Sequence, residues 1–178
     1  GDSINSITAT VNGAKNGDPL NATGTTTATS SSDVNGYPTS ATLNVSAKSG
    51  NYNVVTVNPG TYTITQAGLT ATGKDATREY GDNNPGLETV VTGGKNDDTF
   101  AGNPATTTAT QSSDVGNNYP IVPGTVTGTK INNYTVSNVN GTLTVTSAPL
   151  TLNAGNGSSV YGDSINSITA TVNGAKNG

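Results

Sequence analysis

The sequence predicts an all-β fold of tandem small antiparallel domains, each of about 80 residues, stacked end to end. Three observations point there. Thr (33), Asn (24) and Gly (23) dominate the 178 residues; Thr suits the pleat of a strand, whereas Asn and Gly tolerate the positive φ of tight turns. Apolar and polar residues alternate with period two in the clearest stretches. Finally, Gly1 to Gly17, "GDSINSITATVNGAKNG", returns unchanged at Gly162 to Gly178. Exact recurrence at that length marks a periodic chain with a repeat of 161 residues.

Along the chain, the 161-residue repeat divides into two sister units. "KNGD" at Lys15 to Asp18 answers "KNDD" at Lys95 to Asp98. "TTTAT" at Thr25 to Thr29 answers Thr106 to Thr110, and "SSDV" at Ser31 to Val34 answers Ser112 to Val115. Asn51-Tyr52 then matches Asn133-Tyr134, and "GTYTIT" at Gly60 to Thr65 matches "GTLTVT" at Gly141 to Thr146. Tyr80-Gly81-Asp82 recurs at Tyr161-Gly162-Asp163 and, in part, at Gly1-Asp2.

Tyr62 and Ile64 alternate with Thr61, Thr63 and Thr65, which reads as a half-buried strand, and Leu143 and Val145 do the same among Thr142, Thr144 and Thr146. Asn140-Gly141 predicts a hairpin that pairs Tyr134 to Val139 antiparallel with Thr142 to Val145, and Asn58-Pro59-Gly60 holds the same place in the sister unit. "AGLTAT" at Ala67 to Thr72 and "APLTLN" at Ala148 to Asn153 are extended runs broken by a small residue and then Gly or Pro, so the domain junctions fall there. The units are then residues 1–68, 69–149 and the opening part of a third, 150–178.

Composition narrows function as well. Only 10% of residues are charged, the net charge is −4, and the seven basic residues are scattered. Nothing concentrates positive charge for nucleic acid or anionic lipid. No apolar run approaches 18 residues, so no membrane span is expected in this stretch. Cys, Met, His and Trp are all absent, which removes disulfides, thiolate metal sites and imidazole catalysis and suits an oxidising exterior. Without His or Cys, a nucleophile would need a Ser–Lys or carboxylate pair, and the acids are spread along turns; no enzyme and no cofactor are expected.

The ordered words, above all "LTLNAGNGSSVYGD" and "NYTVSNVNGTLTVTSAPLT", resemble the MBG and YDG type repeat domains found in tandem in large bacterial surface proteins, many of them similar to filamentous haemagglutinins. The resemblance implies a mostly β module that serves as a stalk, spacer or fibre segment outside the cell. The alternative is an adhesive module whose loops recognise a glycan or surface. Aromatic poverty weighs against that alternative, since binding hot spots lean on Trp, Tyr and Arg.

Calcium is the one metal worth weighing. Asp82, with Asn83 and Asn84, and Asp97 and Asp98, beside Asn96, gather oxygen ligands on presumed loops. Neither stretch has the Gly and Glu positions of an EF-hand loop, and Asp and Asn at such places commonly bond their own backbone. The sister unit has Gly17 where this one has Asp97, so the recurring acids are Asp2, Asp18 and Asp33, which return as Asp82, Asp98 and Asp114. Residues 69–149 read as the complete unit; residues 1–68 lack the first strand that Leu150 to Val160 represents. An unpaired edge invites pairing, so the expected partners are neighbouring units of the same protein, end to end or by strand exchange.

Overall fold

The computed structural model describes residues 4–176 and is almost entirely β. Thirteen strands occur among these residues: β1 (Ala22–Thr26), β2 (Asn35–Leu43), β3 (Thr61–Ile64), β4 (Ala67–Gly73), β5 (Ala76–Glu79), β6 (Thr89–Thr92), β7 (Ala101–Gly102), β8 (Gly116–Ile121), β9 (Val126–Thr127), β10 (Tyr134–Val139), β11 (Gly141–Thr146), β12 (Thr151–Ala154) and β13 (Ala170–Asn173). Among the described residues the only helices are single 3-10 turns at Ser49–Asn51 and Ile131–Asn133, each ending on the Asn of the recurring Asn-Tyr word. No helix among the described residues is long and apolar enough to cross a membrane.

Three sheets have three strands, ordered β1-β2-β3, β10-β4-β6 and β5-β11-β8, and two have two, β7-β9 and β12-β13. β1 with β2, β2 with β3, β4 with β6, β7 with β9, β8 with β11 and β12 with β13 pair antiparallel, whereas β5 and β11 run parallel from Ala76 opposite Leu143 to Glu79 opposite Thr146. The strands that flank Asn140-Gly141 do not form the expected hairpin. β10 lies in the sheet of β4, while β11 pairs with β5 and β8. Neither Asn140 nor Gly141 has the positive φ that a two-residue hairpin turn requires. Gly141 is needed for a different reason: a Cβ there would collide with the Gly73 carbonyl, and one at Gly73 would collide with the Ile121 carbonyl. Asp75 holds the crossover by accepting the Thr142 amide at 2.7 Å.

The described residues form two compact bodies. One contains the residues up to Leu69 with Gly93–Phe100 and Gly128–Thr135; the other contains Thr70–Thr92, Ala101–Thr127 and the residues from Val136 on. The apolar core is in the second, where Ala105, Ala109, Ile121 and Leu143 pack with Ala76, Leu87 and Tyr119. Ile121, Leu143 and Val145 are essentially fully buried, each contributing about 1.5–3 kcal/mol relative to exposure. Along β4, Leu69, Ala71 and Gly73 turn inward and are buried, as period two requires. Among residues 4–68, by contrast, the only buried residue is Ala28.

Candidate functional site

Two turns of identical design are each closed by a tyrosine. In Lys15-Asn16-Gly17-Asp18 the Asp18 amide donates to the Lys15 carbonyl at 2.9 Å, with φ of 53° at Asn16 and 68° at Gly17. In Lys95-Asn96-Asp97-Asp98 the Asp98 amide donates to the Lys95 carbonyl at 2.9 Å, with φ of 54° and 61°. Positive φ at both central residues is the type I′ turn, which Asn and Gly adopt most cheaply. Asp97 therefore occupies a glycine's place.

The Tyr52 hydroxyl accepts from the Lys15 amide at 2.9 Å and donates to the Asp18 Oδ2 at 2.7 Å. The Tyr134 hydroxyl repeats this arrangement on the Lys95 amide at 2.9 Å and the Asp98 Oδ2 at 2.8 Å. Both clasps tie a turn to a residue 37 or 39 positions away. The second is the better sealed: Tyr134 is buried and meets Phe100 edge-on at 4.8 Å. Burial, followed by the hydrogen bond to Asp98, raises the Tyr134 pKa above the ordinary tyrosine value, while the Lys95 backbone contact opposes the rise. The hydrogen bond to Asp18 is the leading cause of the upward shift at Tyr52. Hydroxyls held this way are protonated latches at neutral pH, not nucleophiles.

Within the same body, Asp33 joins residues of the first sequence repeat to residues of the second. Its Oδ1 accepts from Lys130 Nζ at 2.7 Å and from Asn133 Nδ2 at 2.7 Å, while Asn133 Oδ1 accepts the Val34 amide at 2.9 Å. The bond from Lys130, then that from Asn133, lowers the Asp33 pKa, and the Asp33 bond raises that of Lys130. Gln66 extends the joint, donating to the carbonyls of Asn132 at 3.1 Å and Tyr134 at 3.2 Å and accepting from Thr135 Oγ1 at 2.9 Å. Asn96 Nδ2 donates to the Ser30 carbonyl at 3.0 Å.

The second body carries its own link. Lys176, which stands where Lys15 and Lys95 stand in the repeat, lies 3.1 Å from Asp82 Oδ1 and 3.4 Å from Glu79 Oε1. Asp82, then Glu79, raises its pKa. Asp82 closes the Tyr-Gly-Asp turn through its amide, which donates to the Glu79 carbonyl at 3.2 Å, with Gly81 at φ 87°. At the later copy Asp163 donates to Val160 at 3.0 Å, with Gly162 at φ 92°.

The three acids weighed for calcium thus have separate local duties: Asp82 faces Lys176, Asp97 holds a left-handed turn position and Asp98 receives Tyr134. Among the described residues, no three acidic side chains gather in a metal-binding group. Asp2, in the recurring acid series, lies outside the described residues.

Sequence reasoning missed Arg78, which is buried. Its Nε donates to Asn84 Oδ1 at 2.8 Å, Nη1 to the Glu79 carbonyl at 3.0 Å and Nη2 to the Thr110 carbonyl. Asn84 Nδ2 in turn donates to the Ala109 carbonyl at 2.7 Å. The guanidinium serves as a hub that satisfies loop carbonyls which would otherwise be unpaired near the core. The available signal was its period-two spacing from Ala76 on a strand that points inward.

Residues 69–144 match the family described as MBG domain (YGX type), and Tyr80-Gly81-Asp82 lies within the match. No curated protein and no solved structure matches the chain.

Proposed function

On the premise that residues 69–144 form an MBG domain of the YGX type, we propose that the chain is a spacer, a stalk or fibre-forming segment of a large extracellular bacterial surface protein. In this reading its units follow one another end to end. The observation that carries it is the joint at Asp33, where one acid of the first repeat takes both Lys130 and Asn133 of the second. Gln66 and Asn96 add bonds on either side. These bonds knit residues of consecutive repeats into one compact body, which suits repeats that follow one another without a loose linker.

The polar side chains support the same reading. The Tyr52 and Tyr134 hydroxyls and the Asp18 and Asp98 carboxylates are occupied in holding turns, and the chain is neither an enzyme nor dependent on a cofactor or calcium for folding. A chelator is expected to leave its melting temperature unchanged.

Small-angle scattering or electron microscopy of a chain carrying several consecutive periods tests the spacer role. A rod with a regular spacing of about 20–35 Å per unit, the length of strands of 5 to 10 residues, is the expected result. A compact globule, or beads with no preferred spacing, refutes it.

A further inference from the structure

We propose that Asn35-Gly36 is a self-modifying site, at which the Gly36 amide nitrogen closes on the Asn35 side chain, ammonia leaves, and water opens the ring to aspartate or isoaspartate beside the Asp33 joint. The inference does not depend on the spacer role.

The reacting groups are already together. The Gly36 amide donates to Asn35 Oδ1 at 2.8 Å. That bond polarises the side-chain carbonyl and holds the nitrogen beside Cγ, the atom it must attack, so the step has the rate advantage of a preassembled intramolecular reaction. Glycine has no Cβ to obstruct the approach. Asn35 and Gly36 are both exposed, so solvent base can take the amide proton and water can reach the ring. They pair with Ile64 and Thr63 of β3, but the ladder between β1 and β2 ends at Thr39 and leaves their other side open.

Water is the only co-reactant. The Gly36 nitrogen loses its proton and bonds to Asn35 Cγ; the bond from Cγ to Nδ2 breaks, and Nδ2 takes up a proton and leaves as ammonia. Water then adds to the succinimide. Addition at Cγ releases the nitrogen from Cγ and gives aspartate. Addition at the main-chain carbonyl carbon of residue 35 releases the nitrogen from that carbon and gives isoaspartate, whose main chain runs through the former side chain and is longer by a methylene.

Two other Asn-Gly pairs are held differently. Asn16-Gly17 is fixed in its type I′ turn, with φ of 53° and 68°, by the Asp18 amide on the Lys15 carbonyl. Gly141, after Asn140, is buried where a Cβ would collide with the Gly73 carbonyl.

The consequence falls on the joint. The Val34 amide donates to Asn133 Oδ1 at 2.9 Å and the Tyr37 hydroxyl donates to the Asp33 carbonyl at 2.8 Å, so Asn35 lies in a loop that is tied on both sides. An added methylene displaces one tie against the other, and the new carboxylate stands close to that of Asp33. In the sister repeat the Tyr119 hydroxyl makes the same tie to the Asp114 carbonyl at 2.9 Å, across five positions instead of four. That loop reads Gly116-Asn117-Asn118 and has no Asn-Gly pair, so the site belongs to one kind of repeat.

The test incubates the full chain in mildly alkaline buffer, with and without denaturant, and follows each Asn-Gly pair by peptide mapping with detection of isoaspartate. In the folded chain Asn35 should convert at least about tenfold faster than Asn16 or Asn140, and denaturant should bring the three rates together. Asn35→Gln, which would need a larger ring, should show no conversion at this position. Asn16 or Asn140 converting as fast as Asn35 in the folded chain would overturn the proposal, as would denaturant that accelerates Asn35 as much as Asn140. Hydrogen exchange at the Val34 amide then reads the effect on the joint: it should be several-fold faster in the isoaspartate form than in Asn35→Asp, which carries the charge without the added methylene. Equal exchange in the two would refute the link to the joint.

Discussion

Residues 4–68 and 69–149 are built from the same words in the same order, yet they fold to different degrees. Their turns agree closely: the two type I′ turns have φ values within a few degrees of each other, and the two tyrosine clasps make the same bonds. Their interiors do not. The second stretch buries Leu69, Ala71, Ile121, Leu143 and Val145, while the first buries Ala28 alone. Turns need a few adjacent residues and one hydroxyl; a core needs a strand on every side. Local chemistry is thus sufficient for the turns, whereas burial depends on long-range partners such as β5 and β8, which flank β11.

The sharpest way to break this comparison uses equivalent leucines. Leu69→Ala should cost about 3 kcal/mol, the usual range for emptying a buried leucine site, measured by chemical denaturation. Leu150→Ala, at the same place in the repeat but 59% exposed, should cost less than about 0.5 kcal/mol. Equal losses would show that exposure does not separate the repeats.

Next come the clasps. Tyr134→Phe strips a hydrogen bond from Asp98 and from the Lys95 amide in a buried setting, and should cost about 1–3 kcal/mol. Tyr52→Phe removes the same bonds at a half-buried site where water replaces them, and should cost about 0.5–1 kcal/mol. Reversal of that order would contradict the sealing role of Phe100.

Titration sharpens the same contrast. Both hydroxyls have raised pKa values in the folded chain, so their contribution is complete below the unfolded tyrosine value of about 10 and is lost as pH rises through the folded values. Tyrosinate absorbance should show Tyr52 and Tyr134 ionising above the ordinary tyrosine range, an assignment checked with the two Phe variants, with loss of stability in that window. At the acid end, the lowered Asp33 pKa gives stability that is present above the unfolded value and lost as pH falls through the folded one. That loss should shrink with added salt, because the pair with Lys130 is exposed.

The smallest effect is a gain. Asp97→Gly places at φ 61° the residue that the sister turn uses, as Gly17 at φ 68°, and should stabilise by about 0.5 kcal/mol in a thermal melt.

Much of the architecture was legible because turn and strand chemistry is local. Period two placed β3 and β11. Asn140-Gly141 was misleading because that pair also suits a close backbone crossing, and only the neighbouring Gly73 and Asp75 show which use applies. The parallel pairing of β5 with β11 joins residues more than 60 positions apart, beyond the reach of any short-range signal. The clasps could have been suspected, since Lys, Asp and Tyr recur together in both repeats. The Arg78 hub could not, because Asn84 and Thr110 give no sign in sequence that they converge.

Amide hydrogen exchange at β3 and β11, which hold the same place in the two repeats, tests the contrast between them most directly. The account predicts that the buried Leu143 and Val145 exchange slowly and that Tyr62 to Ile64, which are not buried, are protected at least about tenfold less. Equal protection of the two strands would contradict it.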